Sequence, residues 1–297
     1  MTATTGTHLA TTPTPTVPTR ATRLTFGGIL KSEFIKLFTL RSTFWCILIV
    51  VVLSVGIGLI IATVNPPARA GVPAAGPLTT AAQQADAVSY ATAGSQIGEL
   101  VLAVLGALVI TGEYGTGMIR STFAAVPKRT PALIAKALVL AITSFVVGLV
   151  SIFGTAAIIF PLLPGTKKIT PDWTDGHVLE SLVGGAIYLM LVALIAFSIG
   201  AIIRNSAGGI AAALGLVLVL PGLVGLIGGL TQLTWIENIA TALPSAVGGN
   251  LSKYSGHKTQ VVSGLVTFDR LDSGLILLAW FVVLFVVAAV LLKRRDA

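Results

Sequence analysis

Long apolar runs dominate this chain, and six of them are long enough to cross a membrane. A membrane helix needs about 20 predominantly apolar residues to cross a hydrocarbon core of about 30 Å. The six predicted spans cover residues 43–64, 92–111, 132–160, 179–203, 208–230 and 274–292. Glu99 lies inside the second span, and Pro221 interrupts the fifth, where we expect the helix to break near its end. The pattern therefore predicts an all-α, polytopic membrane protein.

The segment before the first span, residues 24–41, has a different pattern. Its polar and apolar residues separate onto two sides when they are placed 100° apart, as in an amphipathic helix lying in the membrane interface. Glu33 falls within the apolar side, where a carboxylate needs a partner. We expect Glu33 either to pair locally with Lys36 or Lys31, or to pair with Arg120 or another base on the same membrane face.

The two remaining segments of distinct composition are residues 1–23 and 230–272. The first is rich in Thr and Pro and has almost no large apolar side chains, which predicts a disordered tail. A single six-span domain, residues 24–297, then follows. The second, the connection before the last span, mixes apolar and aromatic residues with few charges, so we expect helices that re-enter the outer leaflet there.

Charge is distributed unevenly over the two predicted membrane faces. Only 10% of the residues are charged, 55% are hydrophobic, and the net charge is +8. If both termini are cytoplasmic, the cytoplasmic segments carry 13 of the 19 Lys and Arg residues but only 3 of the 11 acidic ones. Such a bias sets the orientation of membrane proteins. It predicts a multi-pass protein of the cell membrane with both termini in the cytoplasm. The positive net charge is then a result of membrane orientation, so we expect no nucleic-acid partner.

A short polar passage, residues 111–131, separates the second and third spans. Within it, residues 118–126 place Met118, Ile119 and Phe123 at the spacing of a short amphipathic helix. This apolar face either rests on the lipid surface or forms a contact surface for a soluble partner.

Motifs for catalysis are missing from the sequence. A phosphate-binding loop requires GxxxxGK[ST], and neither this motif nor HExxH nor GxSxG occurs. The single cysteine, Cys46, excludes a disulfide within one chain. We therefore expect no enzyme activity, no metal site and no cofactor bound by this chain.

Three segments together carry a family resemblance. They are SEFIKLFTLRSTFW at residues 32–45, ITGEYGTGMIRSTFAAVPKR at residues 110–129, and LPSAVGGNL at residues 243–251. With the six spans, over about residues 24–297, the chain resembles the permease subunits of type-2 ABC exporters. The resemblance implies a half-transporter that works as a homo- or heterodimer, with each copy resting on a separate ATPase subunit that binds ATP and Mg²⁺.

The resemblance also implies roles for individual residues, because in that family the interfacial helix and the loop after the second span dock on the ATPase. The implied coupling residues are Glu113, Tyr114, Met118, Ile119, Arg120 and Phe123, flanked by Glu33 and Lys36. Substrate would pass between two copies, and Gln96, Glu99 and Pro221 are candidates for lining its path.

Two other functions compete with this interpretation. An ionisable residue within a membrane is a functional candidate by default, so the chain could be a stand-alone secondary transporter with Glu99 as its proton-linked group. It could also be a structural scaffold without transport. The chemical class of the cargo is left open by these residues.

Overall fold

Helices make up nearly all of the chain that the computed structural model describes, namely residues 25–64, 79–119, 129–256 and 264–294. No strand occurs within these residues, and six helical segments among them are long and apolar enough to cross a membrane. The predicted all-α, six-span class is confirmed. The predicted disordered tail, residues 1–23, lies outside the described residues.

Twelve α-helices are found in the described part of the chain. They are α1 Phe26–Thr39, α2 Arg41–Val64, α3 Thr80–Thr92, α4 Ser95–Gly115, α5 Arg129–Ile159, α6 Leu163–Lys167, α7 Gly176–Ile203, α8 Ser206–Leu214, α9 Leu220–Thr231, α10 Thr234–Thr241, α11 Pro244–Ser252 and α12 Arg270–Arg294. The six candidate spans are α2, α3 with α4, α5, α7, α8 with α9, and α12.

Helix α7 is the centre of the bundle. Its most apolar stretch is 78% buried, against 22% for α2, 11% for α8 with α9, and 17% for α12. Close approach to α7 depends on small residues: a Cβ atom at Gly106 of α4 would lie 2.1 Å from the carbonyl oxygen of Ala193. Small residues at such contacts let helix backbones approach within a membrane. The core is therefore built around α7, and α2, α8, α9 and α12 bury a smaller share of their surface in the bundle.

Helix α1 is a separate element that packs mainly on α5. Thr25 caps its start by accepting a hydrogen bond from the amide of Gly28, and Leu40 in extended conformation ends it before α2 begins. Ile29, Glu33 and Leu37 are its buried residues, one turn apart along a single face. A helix with one buried stripe matches the amphipathic pattern of residues 24–41.

The second span begins earlier and ends later than predicted. Helix α3 starts at Thr80, and α4 follows it directly and continues to Gly115. At their junction a Cβ atom on Gly94 would lie 2.3 Å from the backbone of Ser54 in α2, so only glycine fits this contact. The sequence prediction, residues 92–111, missed α3 because α3 is less apolar than a typical span.

The break expected at Pro221 does not occur. The residues Gly215–Val219 instead form one π-helical turn between α8 and α9, and the helix continues through Pro221 to Thr231. Proline has no amide hydrogen to donate to the preceding turn. The wider π turn lies just before Pro221 and accommodates the loss of that hydrogen bond.

Helices α10 and α11 form the segment that precedes the last span. Helix α11 packs against α7 so closely that a Cβ atom at Gly184 would lie 2.1 Å from the carbonyl oxygen of Leu251, and Gly248 lies against the ring of Tyr188. Tyr188 is 12 residues into α7, about 18 Å along its axis at a rise of about 1.5 Å per residue. Helix α11 thus packs beside the middle part of α7, and its re-entry into the outer leaflet stays a prediction.

The close contact of α4 with α7 gives a stability prediction. Gly106→Ala should lower the free energy of unfolding by about 1–3 kcal/mol, because its methyl group displaces the α7 backbone. The matched control is Gly154→Ala in α5, where nothing lies within 4 Å of the added Cβ; it should be neutral or stabilising by up to about 1 kcal/mol. Reversible unfolding in SDS measures both, and equal stability of the two variants would contradict the close-packed interface.

Candidate functional site

Two carboxylates and two ammonium groups from three helices meet at one end of the bundle. Lys136 Nζ of α5 lies 2.5 Å from Glu33 Oε2 of α1 and 2.8 Å from Glu113 Oε1 of α4. Lys36 Nζ of α1 lies 3.0 Å from Glu33 Oε1 and 3.4 Å from Glu113 Oε1. We call these residues the four-charge cluster, and the end of the bundle that holds it the α1 face. The cluster joins α1, α4 and α5 through charge-assisted hydrogen bonds.

Burial makes these contacts strong constraints. The side chains of Glu33, Lys136 and Glu113 are 3%, 6% and 9% exposed, and only that of Lys36 is partly open at 34%. Two positive and two negative charges leave the cluster with no net charge, which is the arrangement under which buried charges are tolerated. Removing one member would leave an uncompensated charge away from water, which costs far more than losing a surface ion pair.

The local sequence places three of the four members on buried helix faces. Glu33 lies one turn after Ile29 and one turn before Leu37 on the buried stripe of α1. Glu113 lies in the last turn of α4, and Lys136 lies two turns into α5. Glu113 was predicted to lie in a loop, but two ammonium partners let the helix continue past the apolar run, so this prediction is corrected.

The Lys36 ammonium is stabilised by its neighbours. Burial acts to lower the pKa of Lys36, but the hydrogen bond to Glu33 and the negative charges of Glu113 and Glu33 outweigh it and raise the pKa above its ordinary value. Lys36 therefore remains charged near neutral pH.

Comparison with known protein families places this geometry in context. A family model described as "ABC-2 family transporter protein" matches residues 29–222, more than half of the 297-residue chain. The chain belongs to the ABC-2 transporter family. It is therefore a multi-pass membrane permease of an ABC transporter, and such permeases are the membrane-spanning subunit rather than the ATPase. The match includes all four residues of the four-charge cluster. A comparison with curated proteins finds no match.

Glu33 of this permease pairs both with a base on its own helix and with a base on another helix, the two alternatives considered from the sequence. Glu33 pairs locally with Lys36, and it also pairs with a base from another helix, Lys136. Arg120, which was named as a candidate for that base, lies outside the described residues. Lys136 was not among the predicted site residues. The signal that could have found it was a lysine inside the predicted third span, because an ionisable residue within a membrane helix needs a partner.

The other predicted coupling residues surround the end of α4. Tyr114 lies beneath the guanidinium of Arg204, whose Cζ is 5.3 Å from the centre of the ring, and Arg204 Nη2 donates to the carbonyl oxygen of Leu291 at 3.3 Å. These contacts connect α4 with the ends of α7 and α12. Met118 is 47% exposed, whereas Ile119 is buried in the core. Phe123 lies outside the described residues, as does most of the predicted helix 118–126.

The three candidates for the substrate path are not brought together. Gln96 is exposed, whereas Glu99, one turn further along α4, is buried and accepts a hydrogen bond from the Tyr188 hydroxyl of α7. Pro221 lies on a different helix, α9, and is partly buried. The described structure thus gives Glu99 a partner on a neighbouring helix and places Gln96 on the surface of the bundle.

Removing the shared ammonium tests the four-charge cluster. Lys136→Met should lower the free energy of unfolding by about 3–5 kcal/mol, because Glu33 and Glu113 are left with one base between them. The double variant Lys136→Met with Glu113→Gln should lose less than the single variant, because it restores charge balance. Unfolding in SDS measures both values.

The control for this experiment is Lys31→Met, at an exposed position of the same helix, which should change stability by no more than about 0.5 kcal/mol. Additive losses in the double variant would show that the four residues do not act as one charge-balanced unit.

Proposed function

We propose that this permease is the membrane-spanning subunit of an exporter, that it works as a dimer, and that a separately encoded ATPase drives it through the α1 face. The observation that carries the proposal is the four-charge cluster, because it surrounds the base of the loop to which the resemblance assigns the ATPase contact. Glu113 precedes this loop and Lys136 follows it, and their ion pair at 2.8 Å holds the two sides together.

A load applied to this loop would be shared by three helices. Helix α4 enters the loop, α5 leaves it, and α1 is attached to both through Glu33 and Lys36. Coupling between distant sites requires elements that move as packed units. With the ion pairs intact, movement of the loop displaces α1, α4 and α5 together rather than bending one helix end.

The contact residues follow from exposure on the α1 face. Met118 is 47% exposed and is assigned to the contact with the ATPase, whereas Ile119 is buried in the core and supports the packing beneath it. Tyr114 transmits movement towards α7 through Arg204. Arg120 and Phe123 belong to the proposed contact through the family resemblance. ATP and Mg²⁺ bind to the partner subunit, and this chain binds no cofactor.

The proposed dimer and orientation rest on exposed surface and on charge. Helices α2, α8, α9 and α12 have the least buried apolar stretches of the bundle. Such faces can contact lipid or a second permease subunit, so the dimer can be a homodimer or a heterodimer. Substrate would pass between the copies, near Gln96, Glu99 and Pro221. The excess of Lys and Arg on the α1 face supports a cytoplasmic location for this face and for both termini, in the cell membrane.

Co-purification with a co-expressed ATPase of the ABC class tests the coupling surface. Met118→Asp should reduce the ATPase recovered with the permease by about tenfold or more, because a charge buried at an interface without a partner is costly. The matched control is Leu271→Asp, 82% exposed at the start of α12 and remote from the α1 face, which should leave recovery unchanged.

Full recovery of an active, stimulated ATPase with Met118→Asp would reject the proposed contact. Transport by the purified permease alone, driven by a pH gradient and lost in Glu99→Gln, would support the proton-linked carrier in its place.

A further inference from the structure

A cavity of about 330 Å³ lies beside the four-charge cluster, between α1, α4 and α5. This is the size range of pockets that bind small ligands. All four cluster residues line its polar end, and Leu108, Val109 and Val139 line its apolar end. Leu108 is five residues deeper in α4 than Glu113, about 7–8 Å along the helix axis. The cavity therefore runs from a charged end at the α1 face to an apolar end within the span.

One oxygen atom of the cluster has no hydrogen-bond donor. Glu113 Oε1 accepts from both lysines, whereas Glu113 Oε2 is buried and has no hydrogen-bond partner among the residues that the structure describes. The side chain of Glu113 is only 9% exposed, so bulk water does not satisfy this oxygen. A buried acceptor without a donor costs about 1–3 kcal/mol, and more when it is charged. The side chain that lines the cavity thus calls for a hydrogen-bond donor from a ligand.

We propose that this cavity binds the head group of a membrane phospholipid that carries a primary ammonium. The ammonium donates to Glu113 Oε2, and the phosphate pairs with Lys36, the most exposed cluster residue. The cluster has two positive and two negative charges, so a zwitterionic head group leaves its net charge unchanged. A ligand with only one charge would leave an uncompensated charge in the cavity. The apolar wall at Val109 and Val139 receives the first part of the lipid chain.

The donor requirement separates this lipid from its methylated relatives. A primary ammonium has three hydrogens to donate, its monomethyl and dimethyl derivatives keep two and one, and the trimethyl form of phosphatidylcholine has none. All four head groups carry the same charge. If Glu113 Oε2 needs a hydrogen-bond donor, the affinity for the lipid falls most between the dimethyl and trimethyl head groups. This step leaves the charge of the head group unchanged and removes its last N–H donor.

Gly112 offers a way to block the cavity without altering a charge. It lines the cavity, and nothing lies within 4 Å of the position where its Cβ atom would stand, so a leucine side chain can extend into the open space. Gly154 of α5 is the matched control, because its Cβ position is equally open and it does not line the cavity. Both substitutions replace a helical glycine by the same residue.

The experiment uses native mass spectrometry to measure how much lipid the full chain retains. The chain is purified without any ATPase and titrated with four phospholipids that have identical acyl chains and differ only in head-group methylation. Affinity should fall about tenfold between the dimethyl and trimethyl lipids, and Gly112→Leu should abolish this difference while Gly154→Leu keeps it. Glycerophosphoethanolamine, the free head group, should not compete at equal concentration.

Equal retention of phosphatidylethanolamine and phosphatidylcholine by the unaltered chain would overturn the proposal, and this comparison needs no variant. It would also be overturned by a preference that survives Gly112→Leu or by full competition from the free head group. Because no ATPase is present, these outcomes leave the proposed coupling function untouched.

Discussion

A single ammonium group, that of Lys136, is shared between carboxylates from two other helices, and the arrangement of the α1 face depends on it. Its bonds to Glu33 and Glu113 tie an amphipathic helix, the end of the second span and the start of the third into one unit. The hydrocarbon part of a bilayer offers no alternative partner for a charge, so each member is held by the others. The cost of separating them makes the relative positions of α1, α4 and α5 the most strongly determined feature of this face.

The remainder of the bundle is arranged by close packing rather than by charge. Helix α7 occupies the centre, and glycines such as Gly106 and Gly184 let α4 and α11 approach its backbone. At the opposite end, Arg270 of α12 donates to Glu180 of α7 and to the carbonyl oxygen of Lys253, which anchors the end of α11. The permease thus has a tightly packed centre, a charged unit at the α1 face, and less buried helices, α2, α8, α9 and α12, at the periphery of the bundle.

The sequence predicts those features that depend on composition along the chain. Length and apolarity identify the six spans, and the position of Glu33 within an apolar stripe shows that it requires a partner. The identity of that partner depends on packing between residues 103 positions apart, which periodicity does not encode. For the same reason the helical state of Glu113 and the inward direction of Ile119 follow only from the tertiary contacts.

Local chemistry explains the other differences. A proline in an apolar run indicates a disturbed helix, and the disturbance in this chain is a π turn at Gly215–Val219 rather than a break. Helix α3 is too polar to be recognised as part of a span, and its position against α2 and α7 places it in the bundle. The placement of α3 thus follows from its contacts rather than from its own apolarity.

The most direct measurement is the distance between spin labels on α1 and α5 in the permease co-expressed with an ATPase of the ABC class, its proposed partner. With Cys46 replaced by alanine, labels at the exposed positions Phe34 and Leu138 report whether these helices move together. If the four-charge cluster holds α1 and α5 together, the Phe34–Leu138 distance should not change after addition of a non-hydrolysable ATP analogue. The distance from Leu138 to a label at Val283 of α12 should change. A shift between Phe34 and Leu138 on nucleotide binding would contradict the claim that the four-charge cluster makes α1, α4 and α5 one unit.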